Sequence, residues 1–208
     1  ERQAVTFTQN SSSTEGSLAE WRWNFGDGTP VQNLGSGAPV NHTFAGYGTY
    51  NVTLNVVTSN GCVSTQKLIP LDVKPLARPS FTFPAIGCLP NANVTFTNNS
   101  SIPDGTQASF IYLWNFGDPG SGGTNTSTLM NPSHSYNAVG PYNVNLQVTS
   151  VSGCVHDTTI ILNSIHPQPL ASISSDKIDV CIGGSISFSS VNNPMDGTTT
   201  AWNWDLDD

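Results

Sequence analysis

The sequence predicts an all-β protein, a tandem array of small two-sheet sandwiches, and three observations carry that prediction. First, one phrase is written three times: Trp21-Arg22-Trp23-Asn24-Phe25-Gly26-Asp27, Tyr112-Leu113-Trp114-Asn115-Phe116-Gly117-Asp118 and Trp202-Asn203-Trp204-Asp205-Leu206-Asp207-Asp208. Its central Trp stands at 23, 114 and 204, 91 and then 90 residues apart. A period that long is a whole domain and not a solenoid turn. Second, apolar and polar residues alternate with period two: Tyr50, Val52, Leu54 and Val56 against Asn51, Thr53 and Asn55. Tyr142, Val144, Leu146 and Val148 do the same against Asn143, Asn145 and Gln147. Half-buried antiparallel strands have this pattern. Third, 19 Gly and 14 Pro among abundant Ser, Thr and Asn suit short strands joined by turns, and no stretch keeps a helical period.

Other landmarks recur in register. Val5-Thr6-Phe7-Thr8 returns as Val94-Thr95-Phe96-Thr97 and as Ile186-Ser187-Phe188-Ser189. His42-Thr43-Phe44 returns as His134-Ser135-Tyr136, Gly61-Cys62 as Gly153-Cys154, and Cys88 as Cys181. These define an N-terminally incomplete copy over 1–76, a complete copy over 77–170 and a C-terminally incomplete copy over 171–208. The third copy lacks the strand equivalent to Tyr142–Val148, so the polypeptide is expected to continue past Asp208, or another chain to cover Ile186, Phe188, Trp202 and Trp204. The first is likewise expected to continue upstream. Strands of this kind without helices give a sandwich of immunoglobulin-like outline, with a closed barrel as the less favoured alternative.

The repeated phrase obeys the strand rule. Trp21, Trp23 and Phe25 share one face, as do Tyr112, Trp114 and Phe116, and Trp202 and Trp204. Alternation makes these residues structural core, since each aromatic buries on the order of 150–250 Å². A sugar-stacking platform is the alternative. Asp27, Gly28 and Asp118 follow as turn residues.

Charge excludes several functions. With 14 Asp and Glu against 6 Lys and Arg, the chain carries a formal charge of −8, which argues against nucleic acid and anionic membranes. No run is long and apolar enough for direct membrane insertion. Four cysteines offer no Cys-x-x-Cys pair and no metal-ligand spacing. Cys88 and Cys154, the two in the complete copy, are expected to form a disulfide across 66 residues, worth about 4 kcal/mol. One bond per module would indicate an oxidising, extracellular compartment. Buried free thiols are the other reading.

Trp23-Asn24-Phe25-Gly26-Asp27-Gly28, with His42-Thr43-Phe44 and Tyr47-Gly48-Thr49-Tyr50-Asn51-Val52 downstream, resembles the polycystic kidney disease (PKD) domain. The Gly-Cys before the last strand resembles the variety in secreted, multi-repeat Bacteroidota surface proteins. Asn24, Asn115, Pro119 and Asp207 depart from the pattern, in turns more than in the core. The resemblance implies a β-sandwich serving as an extracellular spacer or ligand-binding module, and no enzyme.

Candidate chemistry is sparse. His42 and His134 hold one repeat position, where a ring can brace a loop by hydrogen bonds. No hydrolase, metalloprotease or phosphate-loop motif occurs, so no catalytic residue and no cofactor is expected. Asp205, Asp207 and Asp208 could offer oxygen ligands to Ca²⁺, although a solvated turn explains the same cluster. Seven Asn-x-Ser/Thr sequons begin at Asn10, Asn41, Asn51, Asn93, Asn98, Asn99 and Asn125, a number that chance accounts for in a chain of this composition. Asp157-Thr158-Thr159 resembles a Bacteroidota O-glycosylation motif, with Thr158 as acceptor. The joins Val73-Lys74-Pro75-Leu76-Ala77-Arg78-Pro79 and Ile165-His166-Pro167-Gln168-Pro169-Leu170-Ala171 are short and stiffened by proline. The expected function is that of non-catalytic spacer or adhesion repeats, a stiff beaded rod in a long cell-surface adhesin. By resemblance such proteins use type IX secretion and serve adhesion or gliding motility. Expected partners are neighbouring PKD repeats of the same chain, surface polysaccharide, or other cell-surface and secretion proteins. The alternative is an accessory substrate-binding module of a secreted polysaccharide- or protein-degrading enzyme.

Overall fold

The computed structural model describes residues 4–84, 87–193 and 197–205. The chain divides into two compact units, Glu1–Leu76 with Ile102–Asp104, and Ala77–Ser101 with Gly105–Asp208. In the first unit the strands are β1 (Val5–Phe7), β2 (Leu18–Asn24), β3 (Gln32–Leu34), β4 (Val40–His42), β5 (Gly48–Thr58) and β6 (Lys67–Val73). They form a four-stranded antiparallel sheet in the order β3-β2-β5-β6 and a two-stranded sheet, β1-β4.

The second unit repeats this plan. It contains β7 (Phe81–Thr82), β8 (Gly87–Cys88), β9 (Ala92–Thr95), β10 (Thr97–Asn98), β11 (Ile111–Asn115), β12 (Thr126–Ser127), β13 (Ser133–Tyr136), β14 (Tyr142–Thr149), β15 (Val155–Leu162) and β16 (Ile165–His166). The four-stranded sheet runs β12-β11-β14-β15, and β13 pairs with β9, β10 with β7 and β16 with β8. Ile165 is buried, so the second proline-rich join begins as a strand of the core. A further hairpin joins β17 (Leu170–Ser175) to β18 (Phe188–Asn193).

The repeated phrase lies in the same register in both units. Trp21 stands opposite Val56 and Trp23 opposite Leu54; Tyr112 stands opposite Val148 and Trp114 opposite Leu146. Alternation along β2 and β11 turns the aromatic set towards the smaller sheet and leaves Arg22, Asn24, Leu113 and Asn115 outside. The two layers meet through rings. Phe7 of β1 packs on Trp23 at 5.8 Å and on Phe25 at 5.3 Å. Phe96, just after β9, packs on Trp114 at 5.6 Å and on Phe116 at 5.4 Å. This is an immunoglobulin-like sandwich, all-β as expected.

Trp202 and Trp204, assigned to a core on condition that a further strand or another chain covers them, have no such cover among the described residues. They are 58% and 44% exposed, and no strand pairing holds them. Phe188 approaches Trp204 at 6.3 Å but is itself exposed. An aromatic pair becomes core only where a second layer covers it, as β1 covers Trp23.

Trp114 is fully buried, and its Nε1 donates to the Leu129 carbonyl at 2.9 Å. Trp114→Ala is expected to cost about 3–5 kcal/mol, a large part of the roughly 5–15 kcal/mol that stabilises a domain. Guanidinium unfolding measures it, and a transition coinciding with that of the parent would refute this core assignment.

Candidate functional site

The repeated phrase ends in a turn built for glycine. Gly26 and Gly117 have φ of 73° and 70°. A Cβ there would stand 2.7 Å from the Asn51 carbonyl oxygen and 2.6 Å from that of Asn143. Left-handed backbone and lack of space both exclude a side chain. Asn24 Oδ1 and Asn115 Oδ1 accept the Gly26 and Gly117 amides, each at 2.9 Å. Such Asx turns favour Asn or Asp at this position. The chain then delivers Asp27 and Asp118 to the rim of the core.

Each carboxylate meets a histidine there. His42 Nε2 lies 2.7 Å from Asp27 Oδ2, and His134 Nε2 lies 3.1 Å from Asp118 Oδ2. The His42 ring stacks on Phe25 at 3.8 Å and meets the edge of Phe44 at 4.8 Å. His134 does likewise with Phe116 at 4.5 Å and Tyr136 at 4.6 Å. The next ring continues the column: Tyr50 on Phe44, and Tyr142 on Tyr136. The Tyr50 and Tyr142 hydroxyls donate to the carbonyls of Gly46 and Ala138, four residues back. The Gly-x-Tyr motifs thus pin the loops that enter β5 and β14. Sequence reasoning placed Asp27 in a turn and His42 beside a strand but did not pair them. The available signal was their joint recurrence, with spacings of 15 and 16 residues.

Burial pushes the Asp27 carboxyl up. Hydrogen bonds from the Thr29 hydroxyl, His42 and the Thr29 amide, with the attraction of His42, outweigh it and hold the carboxyl at about 2. An Asp–His pair is also part of a hydrolytic triad. Here the imidazole lies flat on a phenylalanine, and the adjacent Thr29 hydroxyl donates to the carboxylate and not to the ring. The arrangement braces the turn against the opposite sheet.

The expected Cys88–Cys154 bond is a correction. All four cysteines, Cys62, Cys88, Cys154 and Cys181, are free thiols. Cys88 lies opposite His166, and the adjoining Gly87 sits against Ala92. Ala92 pairs with Tyr136, whose ring rests on Tyr142 at the start of β14. Cys154 follows the other end of β14, beside the Thr149–Val155 pair. Those ends are about 23 Å apart at 3.3 Å per residue, whereas a disulfide needs Cα atoms within about 7 Å. The repeated Gly-Cys has another cause. Gly61 and Gly153 take φ of 82° and 79° in the hairpin turns. The Cys62 and Cys154 amides donate to Thr58 Oγ1 and Ser150 Oγ, both at 3.2 Å.

The remaining candidates do not converge. Thr158 is half-buried on the inward face of β15, while its neighbours Asp157 and Thr159 face outward and accept from Asn145 Nδ2. Asp205 is exposed, and Asp207 and Asp208 lie outside the described residues. Among the described residues no three His, Cys, Asp or Glu side chains gather as a metal site. Nor is any helix among them long and apolar enough to cross a membrane.

The PKD domain family model matches residues 1–73 and 78–162. Among solved structures, the chain is similar to one described as fibronectin(III)-like modules of CbhA from Clostridium thermocellum. Identity is 13%, the alignment covers 78% of this chain and 84% of that one, and the TM-score is 0.34.

Two outcomes test the site. The Asp27 carboxyl is held at about 2, below its ordinary value of 3.8. Its contribution to stability is therefore full above about pH 4 and is lost as pH falls through about 2. Urea midpoints should drop across that window, and Asp27→Asn should lose that part of the drop; an unchanged acid limb in the variant would contradict the brace. For the cysteines, non-reducing peptide mapping should recover Cys88 and Cys154 in separate peptides. A linked pair from natively folded protein would overturn their placement at opposite ends of the module.

Proposed function

The chain belongs to the PKD domain family, and we propose that its modules are non-catalytic extracellular spacers, units of a stiff, beaded rod in a long cell-surface protein. One observation carries this reading: the family match recurs within a single chain, ending at 73 and resuming at 78. Lys74-Pro75-Leu76-Ala77, which lies between the matches, leaves little slack, and proline favours an extended backbone. The rings of the repeated phrase and the Asp–His pair of each matched module are spent inward, in the ring column and the brace. The extracellular setting rests on the family and draws nothing from the cysteines. Surface adhesion or gliding, with type IX export, is the role we attach to such a rod.

Scattering and binding test it together. Small-angle X-ray scattering should give a longer maximum dimension for the native chain than for one in which Gly-Ser-Gly replaces Lys74-Pro75-Leu76, ahead of the buried Ala77. Equal curves would remove the stiff joint. Incubation with insoluble polysaccharide should leave the protein in the supernatant; firm retention would favour an accessory substrate-binding module of a secreted hydrolase.

A further inference from the structure

His156 lies outside the ring columns and the braces. It is the second residue of β15, on the inward face of that edge strand, opposite Val148 of β14. The residue is half-buried, and its Nδ1 stands 3.0 Å from the carbonyl oxygen of Ala77, 79 positions away in sequence. A carbonyl only accepts, so Nδ1 carries the proton and donates it. The bond ties the four-stranded sheet to the segment that opens the second unit.

That segment is built into the sandwich from Ala77 onwards. Ala77 is fully buried. Arg78 and Ser101 exchange backbone hydrogen bonds at 2.8 and 3.1 Å, and the Ser80 carbonyl accepts the Asn99 amide at 2.8 Å. Phe81 and Thr82 then pair with Asn98 and Thr97. Residues 78–82 are therefore held along one side by residues 97–101. His156 supplies a separate tie, from the four-stranded sheet, at the residue where the segment begins.

The sandwich plan does not itself call for this histidine. The repeat aligns Gly153-Cys154-Val155-His156 with Gly61-Cys62-Val63-Ser64. The Ser64 hydroxyl turns back to its own hairpin, accepting the Val56 amide and donating to the Thr65 carbonyl, both at 3.0 Å. The first unit nevertheless forms the corresponding four-stranded sheet. His42 and His134 recur with the plan, and His156 does not.

We propose that His156 is a positioning residue, the latch that fixes where the second module begins. With Ala77 tied down, the joint is confined to Lys74-Pro75-Leu76, the three residues that follow β6. Such a stretch reaches about 10 Å at full extension. Without the latch the joint lengthens through Ala77 to the Arg78–Ser101 pair. The value of a short joint to a rod rests on the spacer reading; the latch itself does not.

Nitrogen-15 NMR on the whole 208-residue chain tests it. The neutral His156 ring should show the Nδ1–H tautomer, the less common form for histidine free in water. In His156→Ala the backbone order parameter of Ala77 should fall from about 0.85 to below about 0.6, while that of Phe81 stays near 0.85. His156→Asn can place its amide nitrogen where Nδ1 stood, and it should restore the order of Ala77. An Nε2–H tautomer in the parent chain would overturn the latch, whether or not either variant folds. So would an Ala77 that stays rigid in the alanine variant, or an asparagine variant as mobile as the alanine one. A fall spread evenly through the module would also overturn it, because it reports general loosening. All these readouts lie within the second unit, so their failure leaves the scattering test of the rod intact, and failure of that test leaves them intact.

Discussion

Each module depends on one polar contact set inside an aromatic column. His42 and His134 belong to the smaller sheet, while the phenylalanine below and the aspartate beside each belong to the end of the Trp strand. A buried imidazole without a hydrogen-bond partner would cost on the order of 1–3 kcal/mol. The carboxylate removes that cost only if the turn places it correctly. The turn in turn requires Gly26 or Gly117, because the strand partner's carbonyl occupies the volume of any Cβ. Glycine, asparagine, aspartate and histidine thus form one dependency, and apolar packing alone would not set the angle at which the two layers meet.

This dependency explains what was legible in the sequence. Alternation identified β2, β5, β11 and β14 and the face each buries, because burial of one face imposes period two directly. The aromatic core over Trp21, Trp23, Tyr112 and Trp114 followed from it. The Asp–His pairing did not, since its members sit 15 or 16 residues apart on different sheets and local pattern carries no pairing information. The cysteines misled for a related reason. Two cysteines in one module invite pairing, but recurrence of Gly-Cys reflects a hairpin turn that needs positive φ at Gly61 and Gly153. Trp202 and Trp204 carry the same apolar pattern without the covering strand, and they are exposed. Alternation states which face is apolar and is silent on whether anything covers it.

A chain that repeats similar strands about 90 residues apart risks pairing the wrong ones. Its four-stranded sheets handle this at their edges, where unpaired backbone would otherwise recruit a strand. One edge is kept short, at three residues in β3 and two in β12. At the opposite edge of the first sheet, β6 carries Pro70 opposite Asn51, and proline offers no outward donor. In the second sheet β15 takes that place, and its outward Asp157 and Thr159 are held by Asn145.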